Sequence, residues 1–109
     1  MKERDSVYLK QILEAINAVA GYIEGKSFSE FESDQMLQDA VVRKIEVIGE
    51  GARRMSPEFI ETHRNLPLIA AIAMRNRLIH EYEDIDLKVV WDTASVDLRK
   101  LGEEIGEIL

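Results

Sequence analysis

The chain contains no cysteine, which removes disulfide frameworks, thiolate nucleophiles and cysteine-ligated zinc sites together. It has only two histidines, His63 and His80, so a histidine-based metal site finds little support. No apolar run approaches the roughly 18 residues of a membrane span, and the longest, 66–74, is too short. Met1-Lys2-Glu3-Arg4-Asp5 mixes both charge signs and lacks the apolar core of a signal peptide, so the expected location is cytoplasmic. Positive charge is also scarce. Lys and Arg number 14 against 21 Asp and Glu, a net charge of -7, which excludes a basic coat for nucleic acid. With 46% hydrophobic and 32% charged residues, the composition is that of a globular chain. Its 109 residues leave no room for a second core, so residues 1–109 read as one domain. A domain of this size buries about 60–65% of its unfolded surface, which favours a dimer.

Apolar residues recur at helical spacing almost throughout. Leu9, Ile12, Leu13, Ile16, Val19, Ala20 and Ile23 share one helix face, ended by Gly25. Residues 27–32 read as a polar turn that inserts Phe28 and Phe31 into the core. Leu37, Ala40, Val41, Ile45, Ile48, Ala52 and Met55 form a second face, with Ser33 or Asp34 as N-cap. Ser56-Pro57 reads as the cap and first residue of a short helix, and Pro67 as the first residue of the next long one. Asp86 is placed to cap a final helix carrying Leu87, Val90, Trp91, Ala94, Leu98, Leu101, Ile105 and Ile108. The fold class expected is all-α, an antiparallel bundle of four main helices plus a short one.

The densest polar segment is Met74-Arg75-Asn76-Arg77-Leu78-Ile79-His80-Glu81-Tyr82. Asn76 and His80 are one turn apart on a helix. Arg75 and His80 lie about 140° apart around its axis, so their heads do not meet by default. Two copies of this helix crossing at a dimer axis would bring both pairs into one cleft. Such a cleft suits RNA cleavage without metal. An imidazole exchanges protons near neutral pH and can take the proton of a ribose 2′-OH, while the planar fork of an arginine matches the scissile phosphate. Asn76 would bind a phosphate or orient His80. The spacing equally fits a His80 that only supplies a cation at its helix end, with Arg77 pairing to Glu81.

The run Arg75-Asn76-Arg77-Leu78-Ile79-His80-Glu81-Tyr82 resembles the Arg-x-x-x-x-His-x-Tyr motif of the HepT-like toxins, a prokaryotic branch of the HEPN (higher eukaryotes and prokaryotes nucleotide-binding) superfamily. Ile45-Glu46-Val47-Ile48-Gly49-Glu50-Gly51-Ala52 resembles that family's upstream helix, and Ile85-Asp86-Leu87-Lys88-Val89-Val90-Trp91 its segment into the last helix. The similarity runs in order through essentially the whole chain. One position departs: many relatives carry tryptophan after the proline of the motif helix, where this chain has Leu68.

The resemblance implies a HEPN-like helical bundle, a homodimer and a metal-independent endoribonuclease toxin without a cofactor, its site built from both protomers. Arg75 and His80 would be catalytic and Asn76 supporting. The implied partner is a minimal nucleotidyltransferase antitoxin that adds AMP to the motif tyrosine, here Tyr82. A Tyr82 that simply packs at the helix end remains the alternative for that residue. For the whole chain the alternative is a non-catalytic HEPN module that partners a nucleotidyltransferase.

Several further residues carry two readings. Glu50, inside an apolar helix, either pairs with Arg75 or Arg77 or is a surface carboxylate. Arg53, Arg54 and Arg64 either add phosphate contacts or are solvated. His63 falls in a polar loop, and Trp91 and Met74 belong to core or interface stripes. Gly102 and Gly106 either admit another helix or are tolerated near the chain's end. Divided by segment, residues 1–42 carry 4 basic and 8 acidic side chains, residues 43–80 carry 7 and 4, and residues 81–109 carry 3 and 9. The one positive segment therefore holds Arg75, Asn76 and His80.

Overall fold

Local capping chemistry sets where most of the helices begin. In the computed structural model, which describes residues 1–109 apart from the side chain of Tyr82, α1 spans Glu3–Ile23. It ends before Gly25, whose φ of 72° is the left-handed conformation that glycine adopts without a Cβ clash. Ser27 then opens a short helix, α2 (Phe28–Glu32), through a capping box. Its Oγ accepts the Glu30 N–H at 3.2 Å, and Glu30 Oε1 accepts the Ser27 N–H at 3.0 Å. The segment expected as a turn is thus helical, because a serine followed three residues later by glutamate satisfies two otherwise unpaired amides. Phe31 is buried as expected, and Phe28 half-buried.

Asp34, not Ser33, caps α3 (Gln35–Arg53), accepting the Leu37 N–H at 3.1 Å. Ser56 caps α4 (Pro57–Thr62), with Pro57 in its first turn. Pro67 sits just before α5 (Leu68–His80) rather than within it. After a 3-10 turn, Tyr82–Asp84, Asp86 accepts the Lys88 and Val89 amides and opens α6 (Leu87–Asp92). α6 continues through a π turn, Thr93–Asp97, into α7 (Leu98–Ile108).

The π turn answers a packing problem. Val90, Ala94, Leu98, Leu101 and Ile105 are all buried. Val90 and Ile105 are 15 residues apart, whereas four α-helical turns take about 14.4. One wider turn absorbs the difference and keeps the stripe on a single face. Thr93 and Ser95 return their hydroxyls to the carbonyls of Val89 and Trp91, at 2.8 and 2.7 Å.

α3 lies between α1 and α5. Gly51 faces Ile12 and Tyr8 while Ser56 meets Asp5, Gly49 faces Ala71 and Arg75 while Val42 and Leu78 line one pocket, and Gly102 faces Ile16 while Ala20 and Arg99 line another, so each of these helix pairs runs antiparallel. Gly106, by contrast, opens to free space. The core is aliphatic, with Leu9, Ile12, Val19, Val41 and Ile105 fully buried and Trp91 resting on Phe31 at 5.3 Å between ring centroids. The expected all-α bundle is present, with two short helices rather than one and no strand among the described residues. No helix of the described residues is long and apolar enough to cross a membrane.

α5 is the least covered of the long helices. Only Leu68 and Leu78 are buried along it, and Ile69 is 65% exposed. On its far side from Arg75 a groove of about 280 Å³ separates α5 from the π turn and α7, floored by Ile45, Ile48, Leu98 and Leu101.

Candidate active site on helix α5

Gly49 decides how close α5 comes to α3. A Cβ at this position would collide with Arg75 Cβ and stand 2.7 Å from the Ala71 carbonyl oxygen. With only hydrogen there, the stem of Arg75 lies directly on α3 and its head reaches the next residue, Glu50. Arg75 Nη2 stands 3.4 Å from Glu50 Oε2, and Arg75 Nη1 donates to Asn76 Oδ1 at 2.8 Å. The Arg75 side chain is 25% exposed, the least of any arginine in an ion pair among the described residues. Its fork is therefore held from two sides with one edge toward solvent.

Glu50 also gathers the end of α3. It accepts from Arg53 Nε and Nη2 at 3.2 and 2.9 Å, and from Arg54 Nε at 3.0 Å. Hydrogen bonds from Arg53 and then Arg54 hold its carboxyl down to about 2, against a partial desolvation that opposes them. Of the two readings of Glu50, pairing with Arg75 is the one present. Arg77 instead pairs with Glu81, Nε to Oε2, at 3.5 Å on the exposed side.

His80 is exposed in the last turn of α5. Straight helix geometry keeps it about 140° around the axis from Arg75. Asn76 lies between them in angle, yet its carbonyl oxygen is taken by Arg75. The structure thus brings Arg75, Asn76 and Glu50 together and leaves His80 on the open face, in line with Ile69, Ala73 and Asn76. The expectation for Tyr82 concerns a side chain outside the described residues.

His63 has a local role: its ring stacks on Phe59 at 4.1 Å, and its Nδ1 lies 3.1 Å from the Phe59 carbonyl oxygen. Sequence reasoning missed two features. One is Gly49, whose signal was a glycine on either side of Glu50 inside a long helix. The other is the buried pair Asp5 and Ser56, which joins the first turn of α1 to the cap of α4. Asp5 accepts the Ser56 N–H and its hydroxyl, both at 2.7 Å. Burial pushes the Asp5 carboxyl up, but the bonds from Ser56 and the Lys2 backbone outweigh it, and the net direction is down.

An all-helical bundle that carries a clamped guanidinium and, farther round the same helix, an exposed imidazole fits a ribonuclease of the HEPN class. The HepT-like family, described as "Ribonuclease HepT-like", matches residues 12–108, and the chain belongs to it. A Methanocaldococcus jannaschii protein named "Gamma-glutamylcyclotransferase and putative RNase" is 37% identical over 109 residues, all of this chain but 49% of that protein. The chain thus spans about half the length of that relative. A "Putative RNase" of Caldanaerobacter subterraneus subsp. tengcongensis is 34% identical over 94% of this chain and 91% of its own. A "Probable ribonuclease HepT" of Thermococcus cleftensis is 34% identical over 93% and 92%. No solved structure matches.

Proposed function

We propose that this protein is a metal-independent endoribonuclease, the toxin of a toxin–antitoxin pair, acting as a homodimer whose site spans both protomers. The observation that carries the reading is the Arg75 fork, oriented by Glu50 and Asn76, on the same helix as an exposed His80. The family assignment supports it. Arg75 binds a non-bridging oxygen of the scissile phosphate and offsets charge that builds in the transition state. His80 removes the proton of the 2′-OH, the 2′-oxygen attacks phosphorus, and the bond to the 5′-oxygen breaks. An imidazolium returns a proton to that leaving oxygen. The products are a 2′,3′-cyclic phosphate and a 5′-hydroxyl.

The open face of α5 supports the dimer. Ile69, at 65% exposure, and Ile79, at 38%, flank Asn76 and His80, an apolar surface whose burial against a second copy would bring two sites together. In the same reading, a minimal nucleotidyltransferase antitoxin transfers AMP to the Tyr82 hydroxyl with release of pyrophosphate from ATP, and the added phosphate competes for Arg75.

Incubating the purified protein with RNA in EDTA tests this directly. Arg75→Ala and His80→Ala are each expected to lower cleavage at least a hundredfold, and a 2′-deoxy substitution at the cut site to block it. Cleavage that requires added metal, or that survives both substitutions, overturns the assignment, and a pure wild-type protein that does not cleave leaves the binding module. Intact mass after incubation with ATP and the transferase tests the tyrosine: an AMP adduct that persists in Tyr82→Phe rules it out as acceptor.

A further inference from the structure

We propose that Arg4, Arg53 and Arg54 form a phosphate-binding shelf for the RNA backbone beside the α5 site, joined to Arg75 through Glu50. The inference rests on the ribonuclease reading above and extends it from the scissile phosphate to its neighbours along the strand.

Two elements supply the shelf. Arg53 and Arg54 close α3, and Arg4 reaches them from the first turn of α1, donating from Nε to the Arg54 carbonyl oxygen at 2.9 Å. Glu50 links the two α3 arginines to Arg75 of α5, with N–O distances of 2.9, 3.0 and 3.4 Å. One i,i+3 or i,i+4 pair is enough to support a helix surface. Here a single carboxylate holds three guanidinium groups, and its lowered pKa keeps it ionised. Four cations stand against two anions, Glu50 and the Asp5 carboxylate near Arg4, a local charge of +2 on a chain of net charge -7. Asp5 is turned inward, buried against Ser56, and Glu58 pairs with Lys2 at 3.3 Å.

The shelf is oriented and open. The Arg53 and Arg54 side chains are 53% and 52% exposed. Among the described residues, Nη1 of Arg53 and both Nη atoms of Arg4 have no acceptor. The Arg54 guanidinium lies over the Tyr8 ring, 6.0 Å from its centroid. Forks held by one edge give up little side-chain freedom when the other edge binds a phosphate, and they suit phosphate geometry better than lysines. The groups on offer are guanidinium edges, so the ligand chemistry is the phosphodiester backbone, bound without sequence preference. Such contacts position a strand so that one linkage lies at Arg75.

The test uses the full chain and two oligonucleotides, a 2′-O-methyl RNA that cannot be cleaved and its ribose counterpart. Anisotropy titrations over a salt series read binding, and single-turnover assays at saturating protein read the bound cleavage rate. Arg53→Gln with Arg54→Gln is expected to weaken binding about tenfold at low salt. The slope of log affinity against log salt should fall by about 0.7 for each phosphate no longer held, with the saturated rate little changed. Arg99→Gln with Lys100→Gln, which removes equal charge from α7, should leave both unchanged. Thermal melts confirm folding, and Arg53→Lys with Arg54→Lys, charged but without forks, should fall between wild type and the Gln pair.

Wild-type binding by a folded Gln pair, or equal weakening by the α7 pair, overturns the shelf. The two readings fail separately. A protein that binds RNA through the shelf but does not cleave it removes the ribonuclease and keeps the shelf. Cleavage abolished by Arg75→Ala alongside unaltered binding by the Gln pair does the reverse.

Discussion

Asp5 and Ser56 meet across 51 positions of sequence, and their contact is buried. Asp5→Ala leaves the Ser56 amide and hydroxyl without their acceptor, a loss of about 3 kcal/mol. A urea melt should show it as a lower midpoint, and an unchanged midpoint would contradict the role assigned to the pair. Gly49→Ala acts on another margin. Its methyl group has no space between α3 and Arg75, so the helices must separate, at about 1–3 kcal/mol of stability. Cleavage should fall by more than the unfolded fraction explains, because Arg75 moves off Glu50. Neither interaction is legible in the sequence. Asp5 reads as one charge among several at the N-terminus, and no local rule pairs residues so far apart. Glu50 shows an anomaly, an acid in an apolar face, but not which of two arginines it meets.

Helix beginnings are far more legible, since the chemistry that sets them is local. Asp34, Ser56 and Asp86 each accept amides two or three residues ahead. The same rule applies to Ser27 and Glu30, but the short span and two phenylalanines suggest a turn. In α6 and α7 the stripe is visible in the sequence while the π turn inside it is not, although the spacing Val90, Ala94, Leu98 already exceeds an α-helical period. That turn yields a specific expectation. Deleting the exposed Val96 shortens the interval between Val90 and Ile105 to 14 residues, close to four α-helical turns. The variant should keep its helical circular dichroism and unfold cooperatively, and loss of the transition would show that the wide turn is required. Leu98→Ala, in contrast, empties a buried site and should cost about 2–5 kcal/mol.

Across the molecule, the Asp5 and Glu50 carboxyls both lie below their ordinary values of 3.8 and 4.5. Their contribution to stability is complete above those values and is lost as pH falls, toward about 2 for Glu50. The melting temperature should therefore be flat near neutrality and decline below about pH 4.5. Glu50→Gln should reduce that decline, and an unaltered profile would remove Glu50 from it. Co-expressing Arg75→Ala with His80→Ala probes the proposed assembly. A site shared between protomers recovers part of the activity in mixed dimers, and a site within one chain recovers none. The groove beside α5 has a mechanical counterpart. A helix supported along one side by α3, with open space on the other, is a beam clamped on a single edge. Its backbone amides should exchange with deuterium sooner than those of α1 and α3, and association that covers its outer face should slow them, so that rigidity of the reacting arginine becomes a property of the assembled pair.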